Sequence, residues 1–185
     1  KANSQATEKP DLYFSNLRIM QNGYKGKLHT PFGVENFISP LIGDFNLENL
    51  KAAMKICQCC GISDHEILEA FKDITAPPGR FELIQEAQSF SVIVDYAHTP
   101  DGLEHCLKES KKIAQREKGR LIAVFGCGGD RDRGKRPLMG QISETYADIS
   151  IITQDNPRTE NQDQFIEDIL NGFQGPHPLV IHNRE

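Results

Sequence analysis

No stretch of this chain approaches the ~20 consecutive apolar residues that a membrane-spanning helix needs. No basic start leads into an apolar core of the kind that marks a secretory leader. The expected setting is therefore the cytosol, with no membrane partner. Cysteine is sparse and odd in number, with five residues at 57, 59, 60, 106 and 127. The run Cys57-Gln58-Cys59-Cys60 lacks a second CxxC or a spaced histidine pair. Even with His65 nearby it does not assemble four zinc ligands, and small buried thiols on a helix are the expected reading, with no metal site. Positive charge is not in excess either. There are 21 Lys and Arg against 26 Asp and Glu, a net charge of −5, which argues against a general nucleic-acid binder. The chain has no GxxxxGK[ST] phosphate loop. It also has no GxGxxG opening a helix ahead of an acidic residue, which sets aside a nicotinamide-dependent oxidoreductase. Internal repeats and low-complexity stretches are missing.

What is present suits a soluble globular protein of one or two domains. Charged residues make up 25% and the apolar set 38% of 185 residues, enough for a real core. Residues 1–10 are polar and are expected to fray. Residues 12–42 read as β, with Asn22-Gly23 as a hairpin signal and Pro31 and Gly33 dividing the later strands. Asn46 then serves as a cap for a helix whose apolar positions Leu47, Leu50, Ala53, Met54 and Cys57 recur at helical spacing, ending at Gly61. A second helix runs from Asp64 to Phe71. Pro77-Pro78-Gly79 is the strongest punctuation in the chain and the expected domain boundary.

Beyond it, apolar strands alternate with helices. Strands are expected at 90–95, 120–126, 148–153 and 179–181. Helices are expected from Pro100 to about Glu117, over 136–146 and over 162–173. That alternation predicts an α/β fold with a mostly parallel sheet covered on both faces. In such sheets ligands bind beyond the carboxyl ends of the strands, and the polar motifs fall at those ends.

The first motif is Asp95-Tyr96-Ala97-His98-Thr99-Pro100-Asp101. Asp95 can accept from a hydroxyl pair such as a ribose, and His98 can donate to or stack beside a sugar or base. The bland alternative makes Asp95 a turn residue and Thr99 a cap. The second runs from Gly126 to Pro137. Gly126, Gly128 and Gly129 let the backbone approach a ligand, and Arg131, Arg133, Lys135 and Arg136 make a positive field suited to phosphate or carboxylate. The third is Asp155-Asn156-Pro157-Arg158. A carboxylate, an amide and a guanidinium stand within one stiff turn, a compact device for holding a small zwitterion. Arg80, just past the proline pair, can reach a phosphate across a domain junction. Asn46 or Asn49 can offer an amide to an adenine edge.

Taken in order, GDFNLENLKAA, PPGRFE, VIVDYAHTPDGLE, VFGCGGDRDRGKRPLMG and ITQDNPRTE resemble the Mur ligase family, over most of the chain from about Leu41 onward. The resemblance implies a three-domain, ATP-dependent enzyme of peptidoglycan synthesis that works as a monomer. Residues 1–78 would be the end of the central ATP-binding α/β domain. Residues 79–185 would be an incomplete Rossmann-like carboxyl-terminal domain. The family's phosphate loop, carbamylated lysine and magnesium ligands would lie upstream of Lys1, and a later GKGHE motif beyond Glu185, so this stretch alone is not expected to turn over. By position, Arg80 resembles the arginine that reaches the phosphates of ATP. Asp95 and His98 resemble the contacts to its ribose and adenine side, and Asn46 and Asn49 fall in the segment beside adenine. Arg131, Asp155, Asn156, Pro157 and Arg158 match the site for the incoming amino acid, which in members with DNPR is meso-diaminopimelate. The other small-molecule partner implied is UDP-N-acetylmuramoyl-L-Ala-D-Glu. Lysine-adding members and folylpolyglutamate synthases are the nearest alternatives; the latter lack both GCGGDRDRGKRP and DNPR.

Overall fold

The computed structural model describes residues 11–20 and 22–182. The fraying expected of residues 1–10 lies outside the described residues. The chain divides into two compact units, residues 1–92 and 93–185.

The first unit begins with three antiparallel strands in sequential order, β1 (Tyr13–Ile19), β2 (Tyr24–Thr30) and β3 (Gly33–Ser39). Thr30 pairs with Gly33, so Pro31-Phe32 forms a two-residue hairpin turn. Two helices follow, α1 (Asp44–Cys59) and α2 (Asp64–Lys72). Leu28 and Phe37 from the sheet, Leu50 and Met54 from α1 and Ile67, Leu68 and Phe71 from α2 form one core, with Leu28, Phe37 and Met54 fully buried. Ser63 caps α2 through a capping box with Glu66, so both orphan donors at that helix start are satisfied. Asn46 does not cap α1. The N-cap is Gly43, in the left-handed region at φ 88°, because the helix begins earlier than the asparagine signal suggests. Asp44 in its first turn accepts a hydrogen bond from the Tyr24 hydroxyl at 2.8 Å. The cysteine expectation also fails in part. Cys59 and Cys60 stand at the end of α1 and are exposed, while Cys57 is half-buried. Two short strands, β4 (Glu82–Ile84) and β5 (Val92–Val94), complete this stretch.

The second unit alternates helix and strand in the order α3 (Pro100–Arg116), β6 (Ile122–Phe125), α4 (Lys135–Tyr146), β7 (Ile149–Thr153), α5 (Gln162–Leu170) and β8 (Leu179–Ile181). β6, β7 and β8 form a parallel sheet in that order. Among the described residues β5 is not a member of it. The alternation predicts the strand ending at Asp95 as the first strand of the parallel sheet; instead only Val92–Val94 is extended, and among the described residues it lies outside that sheet. α4 packs beside both α3 and α5. Leu103, Leu107, Ala123, Met139, Ile152, Phe165 and Ile169 form the core beneath them. Gly140 lets α4 and α5 meet closely, since a Cβ there would lie 2.2 Å from the Ile169 carbonyl oxygen.

Among the described residues one face of the parallel sheet is left uncovered at several positions. Ala123 is buried, but Ile122 and Val124 on either side of it are exposed, as are Leu179 and Ile181. The register pairs Val124 with Ile151 and Ile151 with Leu179, so these side chains share one apolar face. The apolar run of each strand reports the character of both faces, not whether something lies on them.

Candidate amino-acid site at the carboxyl ends of β6 and β7

β6 and β7 run side by side and deliver two loops at the same edge. After β6 comes the glycine-rich loop, residues 126–134; after β7 comes the loop from Gln154 to Asn161. The backbones lock together. Gly129 N–H donates to the Asn156 carbonyl at 2.9 Å. A Cβ at Gly129 would lie 1.9 Å from the Pro157 carbonyl oxygen, so the approach requires glycine. Asp130 adds a side-chain link, its carboxylate accepting from Thr159 N–H at 3.2 Å and from Thr159 Oγ1 at 2.8 Å. The Asp130 N–H donates in turn to Glu160 Oε1 at 2.6 Å.

The cations of the first loop and of the start of α4 divide by role. Arg136 is fully buried, and its guanidinium binds Glu160 through both terminal nitrogens, at 2.9 and 3.0 Å, and Asp168 at 2.8 Å. Arg133 reaches the same Glu160 at 3.3 Å. Lys135 donates to the His98 carbonyl at 2.7 Å. These three are engaged within the fold, which corrects the expectation of a four-cation field open to a ligand. Arg136 is wholly enclosed by its carboxylate partners, whereas Arg133 stays exposed beside Glu160. Arg131 is different. It is exposed, and no hydrogen bond or ion pair to its side chain occurs among the described residues. The same holds for the guanidinium of Arg158.

Arg158 has a second distinction. Its backbone is in the left-handed region at φ 51°, a conformation uncommon outside glycine. The turn that imposes it is over-determined. Glu160 N–H donates to the Pro157 carbonyl at 3.0 Å, and Arg158 N–H donates to Asn156 Oδ1 at 3.3 Å. Asp155 and Asn156 are exposed on the same turn and Pro157 is half-buried. The structure thus places Arg131 on one and Asp155, Asn156, Pro157 and Arg158 on the other of two interlocked loops. The arrangement offers two guanidinium groups and a carboxylate, donors and an acceptor for a ligand bearing both charges.

Glu160 carries the electrostatic consequence. Its hydrogen bonds from Arg136 hold its carboxyl down at about 2. Sequence reasoning missed Glu160, Asp168 and Thr159. The only local signal was an acidic residue just past Arg158, and its partner lies 24 positions away.

The nucleotide-side residues are placed separately. Asp95 accepts from Ala97 N–H at 2.8 Å, an Asx-type turn that brings His98 forward. His98 is exposed, its ring 4.9 Å from that of Tyr96. Thr99 caps α3 through Gly102 N–H at 3.1 Å. Asn46, Asn49 and Arg80 belong to the first unit. The Asn46 amide donates to the Ile42 carbonyl at 2.7 Å and accepts from Asn49 at 3.1 Å. Arg80 is exposed in a turn closed by its own N–H to the Pro77 carbonyl at 3.0 Å. Burial pushes the Cys106 thiol up to about 12, with Asp95 adding to the shift, and the Cys127 thiol up to about 11. Neither is a poised nucleophile. Among the described residues no group of three His, Cys, Asp or Glu side chains is placed to hold a metal ion. No helix there is long and apolar enough to cross a membrane.

The model of the Mur ligase glutamate ligase domain matches residues 79–185. The UDP-N-acetylmuramoyl-L-alanyl-D-glutamate--2,6-diaminopimelate ligase of Prochlorococcus marinus (strain NATL1A) is 53% identical over 180 residues, covering 94% of this chain and 35% of that protein. The ligase of the same name from Nostoc sp. (strain PCC 7120 / SAG 25.82 / UTEX 2576) is 48% identical over 177 residues, with the same coverage of each chain. A solved structure of a ligase of this name superposes with a TM-score of 0.66 at 38% identity, over 97% of this chain and 36% of that one. The chain spans about a third of the length of the curated relatives it matches.

Proposed function

Since the chain belongs to the Mur ligase family, we propose that it carries the amino-acid site of a cytosolic, ATP-dependent ligase that adds meso-2,6-diaminopimelate to UDP-N-acetylmuramoyl-L-Ala-D-Glu in peptidoglycan synthesis. Residues 1–78 are then the end of a central ATP-binding domain and residues 79–185 part of the carboxyl-terminal domain. The observation that carries the reading is the pair Arg131 and Arg158. Both are exposed guanidinium groups with no side-chain partner among the described residues, on loops that the fold locks together.

Meso-diaminopimelate has a carboxylate and an ammonium at each end; lysine ends in an ammonium alone. The distal carboxylate gives Arg131 and Arg158 charge-assisted partners, and Asp155 accepts from an ammonium. With lysine bound, Arg158 faces a like charge. Leaving a desolvated guanidinium unpaired costs on the order of several kcal/mol, and about 1.4 kcal/mol is already tenfold in affinity.

In the reaction, a carboxylate oxygen of the D-glutamate bonds to the γ-phosphorus of ATP, and the bond to the β-bridging oxygen breaks, releasing ADP. The diaminopimelate amine then attacks the acyl phosphate carbon, loses a proton and expels phosphate. The loop residues aim that amine, which is catalysis by positioning. Arg80 supplies positive charge toward the phosphates, Asp95 and His98 serve the ribose and adenine side, and Asn46 and Asn49 lie toward adenine. Magnesium goes with such phosphoryl transfer; its ligands would lie in the part of the ligase upstream of this segment, and none of the roles above depends on it.

The test is Arg158→Ala in a ligase of full family length carrying this segment. The KM for meso-diaminopimelate should rise at least about a hundredfold with the KM for ATP little changed. Equal loss of both would remove Arg158 from the amino-acid site.

A further inference from the structure

Two exposed arginines can grip one carboxylate only if their loops keep a fixed spacing. Arg131 and Arg158 are on different loops, and each is flanked by residues tied to the other loop. Asp130, before Arg131, is held by Thr159 and Glu160. Thr159, after Arg158, is held by Asp130. The element that closes this circuit is Glu160. One of its oxygens accepts both Asp130 N–H and Arg136 Nη2; the other accepts Arg136 Nη1. Arg136 in turn anchors to Asp168 on α5 and touches the Gly128 carbonyl at 3.4 Å. Its guanidinium has no exposed surface, while Glu160 keeps only 15%. A bidentate pair of this kind fixes geometry as well as energy.

We propose that Glu160 is a positioning residue for the amino-acid substrate. Locked by the buried Arg136, it sets the spacing of Arg131 and Arg158 and so tunes recognition of the distal carboxylate without touching it. The inference rests on the reading of those arginines as the substrate's carboxylate partners. A structural ion pair alone would support every step of the reaction equally. A spacer between two substrate-gripping loops acts on one substrate only. Misplacing a binding group by about 1 Å costs on the order of a hundredfold, so a loosened loop pair should show in the diaminopimelate KM.

The experiment compares Glu160→Gln, Thr159→Val and Arg158→Ala in the full-length ligase, with KM measured for each of the three substrates and folding followed by thermal unfolding. Glu160→Gln keeps the shape but leaves Arg136 short of one carboxylate. A folded Glu160→Gln with the diaminopimelate KM raised at least about tenfold, and the KM for ATP and for the nucleotide dipeptide unchanged, is the expected result. An unchanged diaminopimelate KM, or an equal rise in all three, overturns the proposal. If Glu160→Gln does not fold, Thr159→Val decides. It removes an exposed hydroxyl from the same bridge, and a selective rise of about threefold supports the proposal while no rise sinks it. Arg158→Ala separates the two levels. If it raises the diaminopimelate KM and the other variants do not, positioning alone fails. If it leaves that KM unchanged, the amino-acid site itself is misassigned.

Discussion

Arg136 and Glu160 are 24 residues apart in the chain, yet the fully buried guanidinium of one forks onto both carboxylate oxygens of the other, at 2.9 and 3.0 Å. Through this pair the start of α4 holds the loop after β7, which the Gly129–Asn156 and Asp130–Thr159 hydrogen bonds tie to the loop after β6. The two guanidinium groups that these loops present, Arg131 and Arg158, are free to meet a ligand because their neighbours in the chain absorb the internal charge.

The ion pair should be visible as a pH dependence of stability. Glu160 has its folded value depressed from an ordinary 4.5 to about 2. A depressed carboxyl stabilises the fold fully above its unfolded value, and that contribution is lost as pH falls through the folded value. The parent should therefore be more resistant to denaturant than Glu160→Gln at neutral pH, with the gap closing between about 4.5 and about 2. A gap that widens on acidification would contradict the assignment.

Gly129 is the closest backbone crossing between the two loops. In Gly129→Ala the new methyl must displace the Pro157 carbonyl, which is backbone and cannot rotate away. Overpacking of this kind costs about 1–3 kcal/mol, so the melting temperature should fall by several degrees, about 4–8 °C per kcal/mol in a small domain. The diaminopimelate KM should rise with it. Gly119→Ala is the control, since its nearest neighbour would be an ordinary contact at 3.8 Å, and it should leave both unchanged.

The cysteines should separate cleanly by reactivity. Cys59 and Cys60 are exposed at the end of α1, whereas burial raises the Cys106 and Cys127 thiols to about 12 and about 11. An aromatic disulfide reagent near neutral pH should modify Cys59 and Cys60 quickly. Cys106 and Cys127 should react only on unfolding, as peptide mapping of the labelled protein would reveal. Rapid labelling of Cys127 in the folded state would contradict its place in the core.

Much of this was readable in the chain itself. The strand at 179–181 and the start of α3 at Pro100 agree with their sequence signals residue for residue, because apolar runs and a proline at the first helical position are local signals. The residues that share the two interlocked loops were readable too, since they cluster within two short motifs at strand ends. Three things were not. Asn46 looks like a cap, but Gly43 takes that role and Asn46 is already inside the helix. The Phe90–Asp95 stretch has the composition of a core strand, yet only Val92–Val94 is extended and it stands outside the parallel sheet. Arg136 looked like a ligand-facing cation until its carboxylates, Glu160 and Asp168, came into view from α5 and the loop before it. Only in the last case is the deciding partner distant in sequence, 24 and 32 positions away, and periodicity carries no information about it.

The central claim is that the two exposed guanidinium groups of Arg131 and Arg158 select an amino acid with a distal carboxylate. The most direct test uses the ligase of full family length with ATP, magnesium and UDP-N-acetylmuramoyl-L-Ala-D-Glu, following phosphate release with meso-diaminopimelate or with L-lysine. The account predicts turnover with meso-diaminopimelate and a kcat/KM for lysine lower by at least about a hundredfold. Turnover that prefers lysine would contradict it, because Arg131 and Arg158 would then face a substrate with nothing for them to hold.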